Sequence, residues 1–316
     1  MALQRPANPR VTLASEPIEP AQKPERIDQE PQAPRVSAIL VAYNQAAALR
    51  RAVEALEKSQ ERGRLEIVVV DCGSNDESAS LDIDHPSIHV LRLPHHLGST
   101  RAMNIGTRTA KGDFVFYLSP DVEVAPETVK ALADKLEEDA DAAAVCPLLV
   151  DPEGQPVSRV HPLPSREMLA DACRGAALPL KQLDLAEPSI TVEYPELTAI
   201  LIRKQFVRSM NYFDERYGHY WADADLAMQV RRAAKKIRLY PAIRATYRAS
   251  PDPLERESLA VTDRLVGAAA FVGKYEGFAP GLGFRLGLAL GALARFDLGL
   301  VSALLSGQKL DGSQAG

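Results

Sequence analysis

The chain has 316 residues, 46% of them hydrophobic and 25% charged, with a formal charge of −5. These are globular proportions; they exclude a collagen-like or wholly disordered chain, and the acidic balance excludes broad, sequence-independent binding of nucleic acid. Cys72, Cys146 and Cys173 are an odd set without C-x-x-C spacing, so neither a disulfide framework nor a thiolate zinc site is expected, and a reducing, cytoplasmic setting is.

Residues 1–34 are rich in Pro, Gln, Glu and Ala and carry no apolar run long enough for a signal-peptide core. Such a segment buries too little apolar surface to offset its ordering entropy, and it reads as a disordered arm, with order beginning near Arg35. Val36-Ser-Ala-Ile-Leu-Val-Ala-Tyr43 is almost continuously apolar, as a parallel strand covered on both faces requires. Asn44 is placed to cap the following helix, where Leu49, Val53 and Leu56 share one face. Glu66–Val70 is a second buried strand, closed by the turn residues Asp71-Cys-Gly-Ser-Asn-Asp76. Ile88–Leu93 reads as a third strand, Ser99–Ala110 as a helix and Phe114–Leu118 as a fourth strand. Pro126 fits a first-turn position, and Val129, Leu132, Ala133 and Leu136 form the next helical stripe. This alternation implies an α/β fold: a mainly parallel central sheet covered by helices on both faces.

Ligands of open α/β sheets bind beyond the carboxyl ends of the strands. Here the first, second and fourth strands end in Tyr43-Asn44, Asp71 and Ser119-Pro120-Asp121. Each is an ordinary turn former alone; together they mark one edge for chemistry. Neither G-x-G-x-x-G nor a P-loop is present, so a bound diphosphate would need a metal ion or cationic side chains. Asp121 and Glu123 offer hard oxygen ligands for Mg²⁺ or Mn²⁺, although two acidic groups in a short turn are more often a solvated helix entry. Arg101, on the helix after the third strand, has the reach and geometry for phosphate. Leu226, Val230 and Ala233 are spaced as one buried helical face; Asp223 or Asp225 could cap that helix, which leaves Asp223 open between helix cap and general base. His219 and the pair His95-His96 have no partners at metal-ligand spacing, and Cys72 reads as an inert buried thiol.

From Gly277 to Gly307 the chain is apolar and Gly-rich, but Arg285, Arg295 and Asp297 interrupt it. No uncharged run reaches the roughly 18 residues of a membrane-spanning helix. Two readings stay open: helices packed on the main domain, or an interfacial segment with both arginines at headgroup level.

The order of these motifs resembles glycosyltransferase family 2, with its GT-A fold, and especially the rhamnosyltransferase-like branch. The likeness covers roughly residues 36–250. It rests on V-S-A-I-L-V-A-Y-N, on I-V-V-V-D-C-G-S-N-D-E-S (67–78), on the long passage from His96 to Val124, and on F-D-E-R-Y-G-H-Y-W-A-D-A-D-L (213–226). The resemblance implies an inverting transfer from a nucleotide-diphosphate sugar to a glycan or lipid-linked acceptor in polysaccharide assembly. In it Asp71 contacts the nucleobase, Asp121 takes the metal-binding position and Asp223 serves as base. The first-strand turn (Ala42, Tyr43, Asn44), Gly73, Arg101, Asn104 and Ser119 would complete the donor site.

Three departures from the family pattern bear on mechanism. Ala222 stands where the acidic pair usually has its first carboxylate, Ser119 replaces a common Asn, and Ala245-Thr-Tyr-Arg248 lacks a histidine that helps bind metal in many relatives. Such a site would lean on diphosphate and water, as Mg²⁺ tolerates, with Arg248 partly replacing the cation. The resemblance thus divides the chain into an arm (1–34), a GT-A domain (35–250) and a C-terminal helical extension (251–316) open to peripheral membrane contact. The alternative is a catalytically silent relative that binds nucleotide or partner proteins; a pyrophosphorylase would want a Gly-rich basic loop that A-Y-N-Q-A-A-A does not supply.

Overall fold

A computed structural model of the chain describes residues 33–251 and 258–309; residues 1–32 of the arm read from the sequence lie outside the described residues. The first half runs β1 (Val36–Ala42), α1 (Ala46–Glu57), β2 (Leu65–Asp71), β3 (His89–Arg92), α2 (Ser99–Thr109), β4 (Phe114–Leu118), β5 (Val122–Val124) and α3 (Thr128–Glu138). The second half adds β6 (Ala142–Val150), β7 (Val160–His161), α4 (Arg166–Cys173), β8 (Ile190–Val192), β9 (Tyr194–Pro195), β10 (Ala199–Arg203), α5 (Lys204–Ser209), α6 (Ala222–Arg232) and β11 (Lys236–Tyr247). Three helices follow, α7 (Ser258–Glu276), α8 (Phe278–Ala294) and α9 (Leu298–Ser306).

The large sheet has the order β3-β2-β1-β4-β10-β6-β11-β5, with β8 also paired to β11. Strands β3, β2, β1 and β4 are parallel, as the apolar runs of β1, β2 and β4 imply. Consecutive β1 residues serve opposite cores: Ala38 and Leu40 face the side of α1 and α3, while Ile39 joins Ala102 and Met103 of α2. The other half is mixed, because β10 runs antiparallel to both β4 and β6, and β5 and β8 run antiparallel to β11. A separate two-stranded ladder pairs β7 with β9.

Two local expectations give way. Asn44 does not cap α1: it takes a left-handed conformation (φ 52°), and its Oδ1 accepts from the amide of Asn75 at 2.8 Å. The first amides of α1 are instead satisfied from the next loop, Ala46 N–H donating to Asp76 Oδ2 at 2.9 Å and Gln45 N–H to Ser78 Oγ at 3.3 Å. Pro126 precedes α3, whose N-cap is Glu127.

Helix α7 belongs to the main core, contributing Ala268, Phe271 and Val272, whereas α8 and α9 stack on it around Leu265, Ala289, Ala292 and Leu304. Gly281 of α8 rides directly on Gly273, where a Cβ would come within 2.5 Å of the Gly273 Cα. Among the described residues no helix is long and apolar enough to cross a membrane. The half-buried Arg285 turns to α9: its Nε donates to the Leu304 carbonyl and its Nη2 to that of Leu305, closing the end of that helix.

Candidate active site

In the sheet order β1 lies between β2 and β4, so the chain leaves β1 to one side and returns on the other. Ligand crevices open at such a switch point, beyond the strand carboxyl ends. A cavity of about 590 Å³ lies there, lined by Val41, Tyr117, Ser119 and Asp121 on the strand side and by Tyr194, Glu196, His219 and Asp223 on the other.

Asp121 and Asp223 line this one cavity. Asp121 is largely buried and its Oδ1 accepts from Ser250 Oγ at 2.5 Å. Glu123 is not available beside it, being held by Arg51 Nε at 3.1 Å and Arg248 Nε at 2.8 Å. Arg248 is thereby committed to Glu123, and its backbone amide donates to the Asp121 carbonyl at 2.8 Å. Among the described residues no three His, Cys, Asp or Glu side chains gather as a metal cage. The donor set is thus one carboxylate with Ser119 and Ser250 beside it, all hard oxygens. That fits an octahedral cation held mainly by diphosphate and water, and not a cage built by protein alone.

Asp223 sits in the first turn of α6 but caps nothing distant: its Oδ1 accepts from the adjacent Ala224 amide at 2.8 Å, and Trp221 is the N-cap residue. The Tyr194 hydroxyl also donates to it. Burial pushes the Asp223 carboxyl up to about 6, the nearby Glu196 carboxylate adding to the rise while the Ala224 amide and Tyr194 oppose it. A carboxylate tuned to that range suits general-base work near neutrality. Asp225, the other candidate cap, is 1% exposed and is bound by Lys274 at 2.8 Å and by the Tyr275 hydroxyl at 2.6 Å, so it ties α6 to α7. Ala233 falls outside the buried face of α6, at its exposed C-terminal end.

Asp71 ends β2 opposite Ala42 and is 1% exposed. It does not line the cavity itself; Ile39, Val41 and Gln45 of the neighbouring β1–α1 passage do. Its Oδ2 accepts from Ser74 N at 3.2 Å, and its buried Oδ1 has no partner among the described residues. Such an orphan acceptor calls for a ligand or water donor. Gly73 follows at φ 78°, where a Cβ would lie 2.7 Å from the His95 Cα, so the loop admits only glycine there.

Arg101 and Asn104 lie elsewhere. Arg101 is half-exposed with Glu215 at 3.9 Å, and neither residue lines the cavity. Asn104 is buried and grips the Phe213 backbone from both sides, accepting from its amide at 3.0 Å and donating to its carbonyl at 2.8 Å. It thereby fixes the loop that leads to Asp223. Tyr43 meets the His96 ring edge-on, with centroids 5.0 Å apart. Cys72 is fully buried, and burial pushes its thiol up to about 12.

Sequence reasoning missed the wall carried by the β7/β9 ladder. There Val160 pairs with Pro195 and His161 with Tyr194, which brings Arg159, Tyr194 and Glu196 to the cavity. Also missed was Asp263 of α7, 1% exposed, which accepts from the His219 amide at 2.7 Å. Trp221, left-handed at φ 75°, donates from Nε1 to the Arg264 carbonyl at 2.8 Å.

The sheet order and its edge cavity define the GT-A class of nucleotide-sugar-binding folds. The solved structure of S. aureus TarS 1–349 in complex with UDP-GlcNAc shares it, with a TM-score of 0.53 and 16% identity over 87% of this chain and 81% of that one. The sequence profile of glycosyl transferase family 2 matches residues 37–195, half of the chain, and the chain belongs to that family. It is 32% identical over 211 residues to a pre-mycofactocin glycosyltransferase of Mycobacterium tuberculosis, covering 65% of this chain and 41% of that protein. It is 24% identical over 217 residues to that organism's N-acetylglucosaminyl-diphospho-decaprenol L-rhamnosyltransferase, covering 62% of this chain and 70% of that protein. The chain thus spans about two-fifths of the pre-mycofactocin relative.

Proposed function

We propose that this protein transfers a sugar from a nucleotide-diphosphate donor to a hydroxyl of a glycan or lipid-linked acceptor, with inversion at the anomeric carbon. The observation that carries this reading is the shared cavity of Asp121 and Asp223. Asp71 lies outside the cavity lining, and its unpartnered Oδ1 would receive the base of the donor beside it. Asp121, with Ser119 and Ser250, would hold Mg²⁺ or Mn²⁺, which offsets charge on the departing diphosphate. Asp223 takes the proton of the acceptor hydroxyl as the new oxygen–carbon bond forms and the bond from the anomeric carbon to the diphosphate oxygen breaks. Tyr194 and the Ala224 amide hold that carboxylate in place, and the cavity walls set the line of attack.

Support from relatives lies in the lipid-linked substrate named for the rhamnosyltransferase and in the UDP-GlcNAc bound by TarS. In the same reading the protein works on the cytoplasmic face of the membrane, touching it through α8 and α9, where Phe278, Leu290 and Phe296 stand 81%, 65% and 89% exposed. The GT-A domain and its helical extension would then act together.

The experiment is a panel of nucleotide sugars with Mn²⁺, read for hydrolysis and transfer, beside the Asp223→Asn variant. That variant should lose turnover and keep nucleotide binding; normal turnover would overturn the assignment of the base. A silent, nucleotide-binding scaffold draws its support from Ala222, and turnover of any donor eliminates it.

A further inference from the structure

Three carboxylates line the cavity, and the reading above uses only Asp121 and Asp223. The third is Glu196, which follows β9. Its Oε1 is held twice, by Arg159 Nε at 2.9 Å and by His161 Nε2 at 3.2 Å. Its Oε2 accepts no hydrogen bond among the described residues, and the side chain keeps 33% of its surface open at the cavity wall.

The device that holds it is unusual. His161 is fully buried, and both ring nitrogens face acceptors: Nδ1 the Pro179 carbonyl at 2.9 Å, Nε2 the Glu196 carboxylate. A ring with two acceptors is satisfied only as the doubly protonated imidazolium. Burial works against that charge, and the Glu196 carboxylate and Pro179 carbonyl more than offset it, raising the ring above its ordinary value. A buried cation without its partner carries a large desolvation cost. Glu196 is therefore anchored through one oxygen, leaving the other without a partner among the described residues. Asp223 stands on the same wall, bonded to Tyr194, the register partner of His161. The lining of the same cavity includes the apolar and aromatic side chains of Leu178, Leu197, Tyr220 and Trp221. A fixed carboxylate oxygen beside apolar and aromatic surface is the chemistry that receives a sugar hydroxyl.

We propose that Glu196 is an acceptor-binding residue: its Oε2 receives a sugar hydroxyl of the acceptor neighbouring the one that Asp223 deprotonates. The acceptor group at this subsite is therefore a polyhydroxylated ring. This rests on the transferase reading above and deepens it by naming a residue that receives the acceptor.

Octyl glycosides of glucose and N-acetylglucosamine, with their monodeoxy analogues, probe it in the full-length protein saturated with UDP and Mn²⁺. Binding is followed by calorimetry, and UDP binding is measured separately. Losing a hydrogen bond to a charged group costs about 10- to 100-fold in affinity. Glu196→Gln should weaken glycoside binding by that factor and leave UDP affinity unchanged. One monodeoxy analogue should bind wild type and variant alike, since the interaction is already missing. Glu196→Asp retains a charge for Arg159 and His161 while withdrawing the oxygen, so it should weaken glycosides with little change in Tm.

Glycosides that bind Glu196→Gln as well as wild type, or that fail to bind the UDP-saturated wild type, overturn the proposal and leave the donor reading standing. Equal weakening of UDP and glycosides also overturns it, making Glu196 a structural residue. Failure of the wild type to bind UDP or dTDP removes the transferase reading itself.

Discussion

The carboxylate of Asp263 fills the space that a side chain on Gly218 would need: a Cβ there would lie 1.9 Å from Oδ1. From that position Asp263 receives the amides of His219 at 2.7 Å and Tyr220 at 3.4 Å, four and three residues before Asp223. Helix α7 thus sets the backbone that leads to Asp223. Gly218→Ala should displace Asp263 and cost about 1–3 kcal/mol of stability, the range for overpacking a tight site. Denaturant unfolding checks the stability, and donor turnover should fall in parallel.

Because burial lifts Asp223 to about 6, kcat/KM should rise with pH along an acid limb near that value. The stability consequence has the opposite sign. The folded state binds this proton more tightly than the unfolded chain, so the contribution of Asp223 is most favourable below its ordinary value near 3.8 and is lost as pH rises through about 6. Asp223→Asn, a neutral isostere, should therefore be more stable than wild type at pH 7.5, by on the order of 1–3 kcal/mol. That gain should shrink as pH falls through 6 and vanish near 4, which Tm measurements across the range would show.

Tyr194 donates to the ionised form of Asp223. Tyr194→Phe removes that donor, and the acid limb of kcat/KM should move to higher pH. A limb that stays in place or moves down would show that the hydroxyl does not act on the base.

Lys274 reaches Asp225 at 2.8 Å and Asp214 at 3.0 Å, joining α7 to α6 and to the loop before it. Burial alone would raise Asp214, but hydrogen bonds from Arg216 and Lys274 bring it well below the usual carboxylate range. Lys274→Ala leaves the enclosed Asp225 without its cation and should cost about 3–5 kcal/mol. The double variant Lys274→Met with Asp225→Asn should recover part of that loss in the same unfolding assay.

In the proposed reading the orphan Oδ1 of Asp71 receives a donor from the nucleobase. Asp71→Asn should weaken UDP or dTDP by about 10-fold or more, the loss of a charge-assisted hydrogen bond. Isothermal calorimetry with each nucleotide would measure it.

The legible parts of the fold were those with a simple physical signature. Strands β1, β2 and β4 are covered on both faces, so their residues are apolar without alternation, and the strand-end residues Ser119 and Asp121 fall at the cavity as that topology requires. The mixed half was harder to read. Strand β10 is only Ala199–Arg203 between antiparallel neighbours, and β11 shifts register between Tyr240 and Arg244, which breaks its period. Asn104 shows the limit of a motif, since its position on α2 was visible but its grip on Phe213, 109 residues away, was not. Glu196 carries no local signature at all. Its place depends on a ladder of two residue pairs and on a histidine 35 positions earlier.

The grip of α7 on the loop before Asp223 also decides where the protein can be cut. A fragment ending at residue 250 would lose Asp263 and Lys274, leaving the Asp223 loop without its brace and Asp225 without its cation. The workable seam for exchanging the tail with that of a relative falls after Glu276, at Gly277 (φ 111°), so that α7 travels with the catalytic half and only α8 and α9 are interchangeable.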